Sequence, residues 1–148
     1  GIMIGFNGSH KGPHMFRSIL EGIAMTMKQN VLAMCEERGI TLKNIIVSGG
    51  GSNGDVFMQI LADVFNVRAM RNAVSGSASI GAAIGASLAL LIYTDRDEAI
   101  DHMVHVKDVF TPIKKNVALY KEIDEKVYKH IAPVVDGVLK VSHDILFT

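Results

Sequence analysis

Hydrophobic positions along the chain change their period several times, and each change marks an element. From Pro13 to about Arg38, Phe16, Ile19, Leu20, Ile23, Met27, Val31 and Met34 recur at the spacing of one helix face. Pro13 suits the first helical turn, where a missing N–H leaves nothing unsatisfied, and Gly39 suits a left-handed cap at the far end. Arg17, Glu21 and Lys28 fall largely off the stripe and are expected on a solvated face, Arg17 and Glu21 as an i,i+4 pair. Ahead of this helix, "GIMIGF" reads as a short strand and "NGSHKG" as a loop.

The next segment, "NIIVS", is continuously apolar, as in a strand of a parallel sheet covered on both faces. After a run of glycines, Val56, Phe57, Ile60, Leu61, Val64 and Phe65 resume the helical period, and "VRAM" follows as a second strand. Such a strand–helix–strand unit crosses over right-handed. A helix from about Ser77 to Tyr93 is built on Gly81, Ala82, Ala83, Gly85 and Ala86, small residues expected where another helix packs closely. A short helix near Asp97–Val104, with Asp95, Asp97 and Glu98 as carboxylates at its start, leads into "VFTPIKK" as a connection. A long helix then begins near Lys114, and Pro133 is expected to break or kink it. This inventory is α/β and helix-rich with a small parallel sheet. Its strands are too few to serve so many helices, which implies that the sheet is completed elsewhere.

Composition narrows the class. With 148 residues and 49% apolar content, the chain reads as a single domain able to bury a core. Fifteen basic residues balance fifteen acidic ones, so no nucleic-acid partner is expected. The lone Cys35 excludes an intrachain disulfide framework and reads as a buried, inert thiol. The uncharged run at 72–93 has too short an apolar part to span a bilayer, so neither membrane nor leader is expected, and a cytoplasmic location follows by default.

The candidate chemistry centres on Gly49, Gly51 and Gly54, spaced G-x-G-x-x-G between a strand and a helix. A helix start offers free N–H groups and a positive dipole end to a phosphate. The dinucleotide version also needs an acidic residue about twenty positions on. None occurs between Asp63 and Asp95, leaving only Arg71 to meet the 2′-phosphate of NADP. No Walker A order, nucleophile elbow or H-E-x-x-H is present, and His102 and His105 read as a packed or surface pair rather than metal ligands. No complete catalytic set is visible.

Three segments together resemble the FGGY carbohydrate kinases. "GIMIGFNGSHKGPHMFRSILEG" is similar to that family's second signature through Gly5, His14, Met15, Ser18, Ile19, Leu20 and Glu21, with Phe6 replacing an aliphatic residue. "VSGGGSNGDVFMQILADVF" resembles its adenosine segment through Gly49, Gly50, Gly51, Gln59, Ala62 and Asp63. "SASIGAAIGAS" resembles its G-A-A helix through Gly81, Ala82 and Ala83, with Gly76 where an acidic residue is usual. The resemblance implies a partial ribonuclease-H-like domain of the actin/hexokinase type, the C-terminal part of a sugar kinase. In such a kinase two domains enclose ATP, with Mg2+ bound through the nucleotide. The sugar or polyol and the aspartate base belong to a part of the parent that this chain lacks. Gly49, Gly50 and Gly51 would then bring bare backbone to the adenosine, and Ser52 and Asn53 would add polar contacts. Two other readings stand beside it: an NAD(P)-binding module, and a homo-oligomeric interaction domain. Exposed strand edges favour self-association in either a fragment or an interaction domain.

Overall fold

The computed structural model describes residues 2–147. Helix α1 spans Gly12–Glu37, strand β1 Asn44–Val47, and a 3-10 turn at Gly50–Asn53 leads into α2, Asp55–Phe65. Strand β2 is Arg68–Asn72, followed by α3 (Ser77–Ala89), α4 (Arg96–Met103) and β3 (Val106–Phe110). Helix α5, Lys114–Ile123, passes through a π-helical turn at Asp124–Tyr128 into α6, Lys129–Phe147.

The sheet order is β1-β2-β3. β1 and β2 are parallel, with Ile46 opposite Met70, as a crossover through α2 requires. β3 is antiparallel to β2, with Val109 opposite Met70, so the sheet is mixed rather than parallel. The reason is local. Helices α3 and α4 return the chain to the end of β2, where the Ala73 N–H donates to the His105 carbonyl at 2.8 Å, and β3 sets off in the reverse direction. The expected strand at residues 1–6 is not formed over its described part, because Ile2–Phe6 has no strand beside it and lies exposed.

The core gathers around α2. Met58, Ile60, Leu61, Val64 and Phe65 are buried against Ala24 and Met25 of α1, Ala69 of β2 and Tyr120 of α5. Within this core Asp63 is 2% exposed. Its carboxylate accepts from the Ile113 N–H at 2.7 Å, from Asn116 Nδ2 at 2.7 Å and from Gln59 Nε2 at 2.9 Å. A side chain of α2 thereby satisfies donors at the start of α5, which has no capping side chain of its own.

Helix α1 turns only part of its apolar stripe inward: Leu20 and Val31 pack against the core, and the rest of the stripe does not. Phe16, Ile19, Ile23, Met27 and Met34 are exposed, while Glu21 and Lys28, expected on a solvated face, are partly buried against the C-terminal helices, and Arg17 stays half-exposed. The Tyr120 hydroxyl donates to Glu21 at 2.8 Å and accepts from Arg17 Nη2 at 3.1 Å, and Lys28 pairs with Asp124 at 3.0 Å. Burial first, and then the bond to Glu21, push the Tyr120 phenol up to about 12. The i,i+4 pair of Arg17 and Glu21 forms at 2.8 Å. Cys35 is half-buried rather than enclosed.

Other expectations hold or shift at single residues. Gly39 takes φ 62°, as a left-handed cap requires. The Asp95 carboxylate accepts from the Glu98 N–H at 2.9 Å at the start of α4. Pro133 does not end its helix, since α6 continues through it, and the irregularity lies one turn earlier in the π-helical segment. Gly81 and Gly85 have no helix against them: a Cβ on either would meet nothing within 4 Å. Among the described residues no helix is long and apolar enough to cross a membrane.

Candidate functional site

The glycine turn begins where β1 ends. Gly49 has φ 87° and ψ −177°, a region open in practice only to glycine. That backbone direction lets the Gly49 N–H donate to the Ser75 carbonyl at 2.8 Å, tying the loop after β1 to the loop after β2. The Ser48 and Ser77 hydroxyls, 3.2 Å apart, add a second link between the same loops.

Ser52 is 1% exposed. Its N–H and Oγ both reach the Gly49 carbonyl, at 3.1 and 2.7 Å, so its hydroxyl fastens the turn from inside instead of facing outward as a polar contact. Gly50 and Asn53 are exposed. A Cβ on Gly50 would meet nothing within 4 Å, whereas one on Gly51 would sit 3.4 Å from the Phe57 ring. The outer surface of the turn is therefore bare backbone at Gly50 and Gly51, flanked by the Asn53 amide. Behind it, Gly54 caps α2 without a side chain, leaving the first N–H groups of a helix, seven of whose eleven residues are buried, directed at the turn.

Two further features were not read from the sequence. Arg71 is occupied by the protein: Nη1 lies 2.8 Å from Asp55 and 3.0 Å from the Ser52 carbonyl, and Nε lies 2.6 Å from Asp108. These bonds, above all that to Asp108, hold its guanidinium above the ordinary arginine range. With those partners Arg71 is not presented to a 2′-phosphate, and the NADP reading loses its one cation. Beyond the end of β2, a cavity of about 340 Å3 lies between α3 and α4, lined by Ala73, Ser77, Ile80, Ile84 and Met103. Asn72 also lines it, and its Oδ1 is buried with no hydrogen-bond partner. No motif marks Asn72, which stands beside an irregularity in the pairing of β2 with β3.

The donors around the turn do not suit a directly held divalent cation. Asp55 is the carboxylate at the start of α2, and it is already paired with Arg71. Among the described residues no group of three or more His, Cys, Asp or Glu is placed to hold a metal. His102 instead stacks on Tyr93, with ring centroids 5.2 Å apart.

Comparison with known proteins gives the turn a context. Residues 1–90 match the C-terminal domain of the FGGY family of carbohydrate kinases. The chain is 46% identical to YgcE, an uncharacterized sugar kinase of Escherichia coli (strain K12), over 146 residues, which are 99% of this chain and 30% of that protein. It superimposes on the crystal structure of xylulose kinase from Rhodospirillum rubrum with TM-score 0.76 and 22% identity, covering 91% of this chain and 27% of that one. It also superimposes on Plasmodium falciparum glycerol kinase with ADP, with TM-score 0.71 and 25% identity, covering 86% and 26%. The fold is thus of the actin/hexokinase type found in sugar kinases. The chain spans less than a third of the length of these relatives.

Proposed function

The chain belongs to the FGGY family of carbohydrate kinases, and from that premise we propose that it is the adenosine-holding part of an enzyme that moves the γ-phosphate of ATP to a sugar or polyol hydroxyl. The observation that carries the reading is the turn at Gly49–Asn53, bare on its outer side and fastened on its inner side by Ser52. Gly49 sets the direction of the turn, Gly50 and Gly51 let the adenosine approach the backbone, and Asn53 offers a polar contact. Ser52 serves as the internal brace. A solved relative that carries ADP supports a nucleotide as ligand.

Phosphoryl transfer depends mostly on positioning and charge stabilisation. A grip on base and ribose fixes where the γ-phosphate stands relative to the acceptor alcohol. Mg2+ would be carried by the phosphates, since the turn supplies no carboxylate cage. The aspartate base and the sugar contacts are assigned to the remainder of a longer parent, working in the cytoplasm where ATP is available. By itself the 148-residue chain is expected to phosphorylate no sugar, and its bare apolar faces are expected to drive self-association.

The test is Gly50→Asp in the full-length parent. The new carboxylate enters open space on the ligand side of the turn, so the KM for ATP should rise by at least about ten-fold while the KM for sugar stays unchanged. Unaltered ATP kinetics would remove the turn from the nucleotide site.

A further inference from the structure

Arg71 is a charged side chain beside the turn to which the proposed nucleotide contacts give no task. It is 11% exposed, and its partners belong to separate elements: the Ser52 carbonyl in the 3-10 turn, Asp55 at the head of α2, and Asp108 on β3. Its guanidinium also lies over the Phe110 ring, 5.3 Å from the centroid.

We infer that Arg71 is a positioning residue for the nucleotide, acting through the backbone of Gly50–Asn53, an inference that rests on the adenosine-holding role proposed for that turn. A guanidinium presents its donors in one rigid plane, so the partners it binds are fixed relative to one another. Asp108 and Phe110 hold that plane on β3, and Nη1 then sets where the Ser52 carbonyl and the head of α2 lie. The turn is thereby registered to the sheet by a side chain as well as by the chain itself. Lysine could keep the charge but not the fork. Since the turn holds the nucleotide at its end remote from the transferred phosphoryl group, a displaced turn weakens ground state and transition state alike. Such uniform loss raises KM and leaves kcat unchanged.

The experiment measures steady-state kinetics of the full-length parent with ATP and sugar varied separately. Arg71→Gln should raise the KM for ATP about ten-fold, with kcat and the sugar KM altered by less than about two-fold. Arg71→Lys should recover part of the loss. Asp108→Asn, which lies on the far side of Arg71 from the turn and leaves the Asp55 and Ser52 contacts in place, should raise the ATP KM by a smaller factor. It decides the matter if Arg71→Gln does not fold. A lower melting temperature in these variants with an unchanged ATP KM would overturn the inference and leave Arg71 as structural support alone. Absence of saturable ATP dependence in the unmutated protein would instead overturn the adenosine-holding reading, and this inference with it.

Discussion

Helices α2 and α3 are built alike and end up in opposite surroundings. Each follows a strand of the same sheet, each starts behind a glycine without a capping side chain, and each is rich in apolar residues. Yet α2 buries Met58, Ile60, Leu61, Ala62, Asp63, Val64 and Phe65, while α3 buries Ser87 alone. The difference lies in the neighbours. α2 is enclosed by α1, α5 and β2, whereas α3 packs on α4 and leaves Gly81, Ala82, Ala83 and Gly85 uncovered. Apolar composition offers a face for burial, but only an element on the other side of it turns the offer into stability.

Substitutions on the two helices should differ accordingly. Leu61→Ala removes a side chain with no exposed surface and should destabilise the chain by about 2–5 kcal/mol in urea denaturation. Ile84→Ala, at the rim of the α3–α4 cavity, should cost about 1 kcal/mol or less. Equal losses would mean that α3 is as enclosed as α2.

The enclosed side has a pH signature as well. The folded chain holds the Tyr120 proton to about 12, above the ordinary tyrosine value, so between pH 10 and pH 12 the folded state binds more protons than the unfolded one. Stability from this source is therefore complete below pH 10 and is lost as the pH climbs toward 12. Tyr120→Phe should abolish that dependence and remove the bonds to Arg17 and Glu21, costing roughly 1–2 kcal/mol at neutral pH. An identical alkaline denaturation curve for the variant would place the titration elsewhere.

The smallest effect sharpens the contrast most. With nothing within 4 Å of its Cβ position, Gly81→Ala should stabilise the 148-residue chain by about 0.5–1 kcal/mol through helix propensity. The same change in the full-length parent should be neutral or harmful if another surface closes on α3 there. Paired melting curves of the two lengths measure that directly.

What the sequence disclosed and what it hid follow the same logic. The glycine turn, α2 and the Gly39 cap are local, and their signals lie within a few residues of one another. The orientation of α1 was not local. Its apolar stripe is plain in the sequence, but Tyr120 and Asp124, which hold Glu21 and Lys28 against the C-terminal helices, come about a hundred positions later. β3 carries no clear strand pattern because Lys107 and Asp108 interrupt its apolar residues, and it occupies an edge, where exposed charge is normal. Ile2–Phe6 is the reverse case, with a strand's composition and no partner strand among the described residues. Nothing local to Arg71 in the sequence names its partner, because Asp108, 37 positions away, becomes its neighbour only once β2 and β3 pair.

The carboxylates of Asp63 and Asp108 also change the standing of the final third of the polypeptide. Residues beyond 90 lie outside the segment matched to the family, yet Ile113 and Asn116 are clasped by Asp63, and Asp108 grips Arg71. That stretch works as a splint strapped across the back of the glycine turn. If the proposed adenosine-holding role stands, two kinases with identical glycines but different splints are expected to hold the same purine with unequal firmness, so divergence in the last third of the sequence becomes a means of adjusting ATP demand without touching the contacts themselves.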